Sequence, residues 1–196
     1  MNKPFAESSE QNKQVILQVL QKLFIAPGEV LEIGSGTGQH AVHFTQHLPH
    51  LMWQPTDCAD QIPGMTLWFN DVTHQRIRTP QVLDVQQQWS DQLFDYVFTA
   101  NTLHIVSWAA VQLMFAGVGK NLKPGGLFVQ YGPFNYAGKF TSDGNARFEQ
   151  WLKSRDPLSG IRNFEDLQAL AQHHAMVLHS DHEMPVNNRI LVWQKT

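Results

Sequence analysis

Short apolar runs alternate with amphipathic stretches along the whole of this chain. Val15, Ile16, Val19, Leu20, Leu23 and Phe24 recur at helical spacing, which predicts a helix that stops before Pro27-Gly28. Apolar strands are predicted near 29–33, 51–56, 81–83 and 94–99. Ser107 is placed to cap a helix running to about Asn121, and the turn Lys123-Pro124-Gly125-Gly126 launches a strand from Leu127 to Tyr131. Asn163 is placed to cap a further helix with the stripe Leu167, Leu170 and Ala171. Closing strands follow near Val177–Leu178 and Ile190–Trp193. Strands that alternate with helices imply an α/β fold around a mostly parallel sheet.

One stretch breaks the rhythm. From Gly132 to about Arg162 Gly, Asn, Pro and Ser are frequent around a helical piece near 145–154. A connection of that length predicts an inserted, lid-like segment, 132–162. With a helical N-terminal segment, 1–26, the chain is expected to form a single domain over 1–196.

Chemistry enters at the end of the first strand, where the chain reads Glu32-Ile-Gly34-Ser35-Gly36-Thr-Gly38. Alternating glycines permit positive φ and let a ligand approach the backbone, and the following helix offers unpaired N–H groups. Asp57, after the next strand, stands where an acidic residue accepts from a ribose diol. A dinucleotide site would have Gly-x-Gly-x-x-Gly. Here Gln39 occupies the third glycine's place, and Glu32 would repel a pyrophosphate while favouring a sulfonium or an ammonium. The run resembles motif I of class I S-adenosylmethionine-dependent methyltransferases. That resemblance implies a Rossmann-like doubly wound sheet of about seven strands, mostly parallel with an antiparallel final strand. It also implies S-adenosyl-L-methionine as cofactor. The glycine loop, Ser35 included, would pass under its methionine part, Glu32 would hold its ammonium, and Asp57 its ribose. Asp84 would accept from the adenine amino group, Val85 would face the ring, and Asn101 would contact the methionine or the loop. All these segments fall at strand C-termini, where open α/β sheets bind ligands.

Asn101-Thr-Leu-His104 lacks the Asn/Asp-Pro-Pro-aromatic run of enzymes that methylate planar amino groups. His104 is a candidate general base for an O, N or S nucleophile, or else a residue that packs the rim. His40, His43 and His47 share a helix face without a carboxylate or thiolate at ligand spacing, so they read as solvated and no metal site is assigned. Cys58 is the only cysteine, which excludes an intramolecular disulfide. Beside Asp57 its thiol is a poor nucleophile. The net charge is −3, without a dense basic run, which argues against duplex nucleic acid as partner. No signal core or run of eighteen apolar residues is visible, so a cytoplasmic protein without a membrane partner is expected.

Further stretches extend the likeness. These are Ser8-Ser-Glu10-Gln-Asn12-Lys13, Gly38-Gln39-His40, Trp53-Gln-Pro55-Thr-Asp57, Tyr131-Gly-Pro133-Phe, Arg155-Asp-Pro157, Gly160-Ile-Arg162 and Met184-Pro-x-Asn187-Asn188. Together they resemble the methyltransferase-like protein 26 family over nearly the whole chain. The resemblance implies that the Glu10–Lys13 segment and the insert cover the site, with substrate contacts at Asn12, Tyr131, Phe134, Asn135 and Arg162. Arg155 and Arg162 could pair with an acidic group on a substrate or form ion pairs within the insert. The expected activity is methyl transfer to a small-molecule acceptor. The alternatives are a non-catalytic S-adenosylmethionine-binding or scaffold protein and, disfavoured by Gln39 and Glu32, a nicotinamide oxidoreductase.

Overall fold

The protein is described by a computed structural model covering residues 3–87 and 89–196. Its elements in chain order are α1 (Glu7–Leu23), β1 (Gly28–Ile33), α2 (Gln39–His47), β2 (Leu51–Asp57), α3 (Ile62–Phe69), β3 (Gln81–Val82) and β4 (Phe94–Ala100). There follow α4 (Trp108–Asn121), β5 (Leu122–Gly132), β6 (Phe134–Asn135), α5 (Asp143–Arg155), β7 (Arg162–Asn163), α6 (Phe164–His173), β8 (Met176–Met184) and β9 (Asn188–Lys195). Seven strands form one sheet in the order β3-β2-β1-β4-β5-β9-β8. β1 through β5 pair in parallel, and β9 runs antiparallel to both β5 and β8.

The two-residue period of the strands splits the core into two layers. Val30, Trp53, Tyr96, Phe98, Val129 and Val192 face α1 and α2, where they meet Ile16, Leu20, Ala41 and Phe44. Their neighbours Leu31, Val97, Phe128, Leu191 and Trp193 face α4 and α6, against Val111, Phe115 and Leu167. Both faces of β1, β4 and β5 are therefore dry, as the centre of a doubly wound sheet requires. Burying each such side chain stabilises the fold by about 1.5–3 kcal/mol.

Several local expectations need correction. α3 is an additional helix between β2 and β3. The Lys123–Gly126 turn does not precede β5 but lies inside it as an irregularity, with pairing jumping from Phe94↔Leu122 to Tyr96↔Leu127. Ser107 does cap α4, accepting from Ala110 N–H, and the structure adds Ser142 as the cap of α5, accepting from Asn145 N–H. Asn163 stands at the N-cap of α6 but makes no cap bond, because its amide donates to Asp166 instead.

The insert is closed at its base. β6 pairs in parallel with β7, Phe134 opposite Arg162 and Asn135 opposite Asn163. The Arg162 guanidinium donates to the carbonyls of Leu103, Val106 and Leu158, and lies over the Trp108 ring. Those bonds fix the insert onto the segment after β4. Among the described residues no helix is long and apolar enough to cross a membrane.

Candidate functional site

Three backbone devices shape the end of β1. Gly34, Gly36 and Gly38 all have positive φ, at 72°, 55° and 85°. At Gly38 a Cβ would come within 2.8 Å of the Phe69 ring, so α2 can dock against α3 only from a glycine. At Gly36 a Cβ would meet nothing within 4 Å, because this residue borders open space. The loop is pinned from below and from the side. Ser35 N–H donates to the Thr56 carbonyl at 2.9 Å, and Gly36 N–H donates to Asp57 Oδ2 at 2.7 Å.

The open space is a cleft of about 820 Å³ at the carboxyl ends of β1, β2 and β4. Gly34, Ser35, Gly36, Asp57, Asp84, Val85 and Asn101 all line it, so seven positions read from the sequence converge there. Asn101 holds φ at 58° while its N–H donates to the Tyr131 carbonyl. Asn tolerates this left-handed conformation better than most residues, and such strain concentrates at binding sites. Asp57 also accepts from Cys58 N–H at 2.8 Å. Burial raises its carboxyl above the ordinary value, against the lowering effect of those two N–H donors. Asp84 lines the cleft but also caps its own turn, accepting from Gln86 N–H at 2.9 Å. The exposed Cys58 thiol also borders the cleft, its pKa raised by desolvation and by Asp57, Asp84 and Asp60.

The lining has a one-sided charge. Asp57, Asp60, Asp84 and Asp156 contribute to it, and among the described residues no Lys or Arg does. Ile105, Val106 and Leu158 add an apolar edge where the insert approaches the segment after β4, and Ala6, Ser8 and Ser9 give the N-terminal segment a side of its own. That side is strapped down. Ala6 N–H donates to Gln39 Oε1 at 2.7 Å, Gln39 Nε2 reaches Glu10, and Trp68 Nε1 donates to the Pro4 carbonyl. Gln39, which fills the place of a dinucleotide motif's third glycine, is thus the tie between α1 and α2.

Other expected residues lie elsewhere. Glu32 is not on the lining; it is 2% exposed beneath the loop, where Oε2 accepts from Ser35 Oγ and from Trp53 Nε1, both at 2.9 Å. Burial pushes its carboxyl up to about 7, with Asp57 adding to the rise. Gly38 acts in packing rather than on the lining. His104 does not line the cleft; its ring packs edge-on against Phe148, and burial with nearby Arg162 lowers its pKa to about 4. Phe134 is a core side chain, Asn135 is buried in the β6–β7 pair, and Arg162 is committed to three carbonyls. Arg155 stacks over Trp151. Neither arginine lines the cleft, and among the described residues neither forms an ion pair within the insert.

His40 reverses the sequence reading. It is 6% exposed, it lines the cleft, and its Nε2 lies 2.7 Å from Asn12 Oδ1. The missed signal was the Ser8–Lys13 segment, which brings Asn12 over α2. Asn12 and Asn188 also flank the buried Tyr131 hydroxyl, so Asn12 and Tyr131 belong to one polar group beside the loop.

The chain belongs to the family described as protein of unknown function DUF938, whose model matches residues 3–195. Among solved structures it is similar to the apo form of the S-adenosylmethionine-dependent methyltransferase SibL, at 18% identity and a TM-score of 0.80. That match covers 95% of this chain and 55% of the other. An O-methyltransferase family protein from Burkholderia thailandensis is 13% identical with a TM-score of 0.83, over 97% and 58% of the two chains. Human N-acetylserotonin methyltransferase, solved in complex with S-adenosylmethionine, is 14% identical with a TM-score of 0.80, over 96% and 53%. The fold is thus that of class I methyltransferases, and the chain spans a little over half the length of these structures.

Proposed function

We propose that this DUF938 member binds S-adenosyl-L-methionine and transfers its methyl group to a small-molecule O, N or S nucleophile. The observation that carries the reading is the character of the cleft. A glycine loop opens on it, the Asp57 carboxylate flanks that loop, and the lining holds four carboxylates without a Lys or Arg. A dinucleotide would bring the two negative charges of its pyrophosphate into that field. S-adenosylmethionine brings a sulfonium and an ammonium, and its one carboxylate can meet the N-terminus of α2.

The space over Gly36 fits a ligand that touches the backbone, and Gly34, Ser35 and Gly36 would form its bed. Asp57 would bind the ribose diol, Asp84 and Val85 the adenine, and Asn101 the methionine end. Glu32 supports these residues by holding Ser35 from below. When bound, the cofactor supplies an already activated methyl group. The protein's part is to align the acceptor and exclude water. The strapped α1 and the insert 132–162 support a role as covers over a single domain. The finer likeness to the methyltransferase-like protein 26 family and a cytoplasmic location are part of the same proposal.

Calorimetry with S-adenosylmethionine, S-adenosylhomocysteine and NADH, on the wild type and on Asp57→Ala, tests this. The first two should bind, and the variant should bind them at least tenfold more weakly, as expected for a lost charge-assisted hydrogen bond of about 1.5–3 kcal/mol. Binding of NADH alone would return the chain to the oxidoreductases. Tight binding with no transfer to any acceptor pool would favour the scaffold reading.

A further inference from the structure

His40 stands out as a buried, cleft-lining histidine with one nitrogen committed. Asn12, His40 and Tyr131 come from α1, α2 and β5, and all are more than nine-tenths buried. The Asn12 amide orients the group. Its Oδ1 is the atom turned to His40 Nε2, at 2.7 Å, and the same side chain lies beside the Tyr131 hydroxyl. Oδ1 only accepts, so Nε2 carries the ring proton. The imidazole packs against Phe44 and Phe98, which hold its plane. Nδ1 is left as an unprotonated acceptor with no partner among the described residues, on a side chain that lines the cleft. Burial, with His43 and Lys13, keeps the ring neutral, its pKa lowered to about 3.

Resting on the function proposed above, we infer that His40 Nδ1 accepts the hydroxyl proton of an uncharged alcohol or phenol, which is the methyl acceptor. The charge of the cleft selects that class. An anionic acceptor would face Asp57, Asp60, Asp84 and Asp156 with no Lys or Arg on the lining to balance it, while a neutral hydroxyl needs only one fixed acceptor atom. In the transfer the hydroxyl oxygen forms a bond to the methyl carbon as the carbon–sulfur bond breaks, and its electron pair stays on sulfur. The oxygen's proton passes to Nδ1, and the imidazolium later releases it to water. Positive charge is lost at sulfur as it appears on the ring, so the site's total charge is unchanged. An oxygen that has just gained a methyl is strongly acidic, so a weakly basic imidazole suffices.

The test has three readings. Two-dimensional 15N–1H spectra of the wild type should show His40 as the neutral Nε2–H tautomer at pH 7, and an Nδ1–H tautomer overturns the proposal. Methyl-labelled S-adenosylmethionine is then incubated with a metabolite pool split by ion exchange into neutral, cationic and anionic fractions. Label should enter the neutral fraction; label in the anionic fraction only, or in none, overturns it. Finally, His40→Gln keeps a polar group near Asn12 but has nothing in the place of Nδ1. It should lose about 100-fold or more in turnover of the neutral fraction, with S-adenosylhomocysteine affinity within about threefold of wild type. Turnover within threefold of wild type overturns the proposal. Failure of the wild type to bind S-adenosylhomocysteine would instead remove the underlying function.

Discussion

Glu32→Gln isolates the energetic cost of the carboxyl beneath the glycine loop. In the wild type both donors, Ser35 Oγ–H and Trp53 Nε1–H, go to the same oxygen, Oε2. A glutamine carbonyl has two lone pairs and can accept both, so the substitution removes the charge while keeping the bonds. Burial pushes the folded-state pKa from 4.5 up to about 7. The folded state therefore holds this proton more tightly than the unfolded chain does. Its contribution is fully present below pH 4.5 and is lost as pH rises through about 7. At about 1.4 kcal/mol per tenfold change in proton affinity, ionised Glu32 costs the fold on the order of 3 kcal/mol at pH 8. The assay is urea unfolding of both proteins from pH 5 to pH 8, read as the difference in unfolding free energy. Taking the difference cancels His40 and His43, whose lowered pKa values make stability rise with pH and so oppose the trend. The variant should be close to wild type at pH 5 and more stable by a few kcal/mol at pH 8. A flat difference would mean that the carboxyl does not titrate in this window. A variant that becomes less stable as pH rises would mean that the buried charge is itself stabilising. If the charge favours the sulfonium and ammonium of the cofactor, the same variant should bind S-adenosylmethionine more weakly while gaining stability, a trade-off that calorimetry at pH 8 reads directly.

Gly36→Ala puts a methyl into open space at φ 55°, so the fold should lose only about 1–2 kcal/mol from the left-handed backbone. S-adenosylhomocysteine affinity should fall at least tenfold, because the methyl occupies the ligand's bed; unchanged affinity by calorimetry would place the ligand away from the loop. Arg162→Met leaves the carbonyls of Leu103, Val106 and Leu158 without their donor. It should lower the melting temperature and speed limited proteolysis within 132–162, with S-adenosylhomocysteine affinity largely kept; a protease pattern like that of wild type would show that β6–β7 pairing alone closes the insert.

What could be read from the chain divides by the range of the interactions involved. The glycine loop and Asp57 were legible because strand, turn and strand end lie within about thirty residues, and positive φ there has a compositional signature in glycine. Asp84, Val85 and Asn101 followed because parallel strands deliver their C-termini to one rim. His40 was misread for the opposite reason. Its helix face looks solvated when α2 is considered alone, and α1, folding over it through Asn12, joins Phe98 of β4 in burying the ring. No periodicity within α2 reports a contact twenty-eight residues away. Arg162 and Phe134 were misassigned by a related error. Both occur in a loosely patterned segment, which invited a binding role, yet they face each other across the two-residue β6–β7 pair that holds the segment's ends together. Glu32 is the intermediate case. It lies next to the loop in sequence and holds the loop through Ser35, but its second partner, Trp53, lies on the neighbouring strand and helps keep the side chain beneath the loop, off the cleft lining. A polar residue can thus be located from sequence when its own element positions it. Its role changes when a second element supplies the partner, and in this cleft the polar residues beside and beneath the loop have such partners.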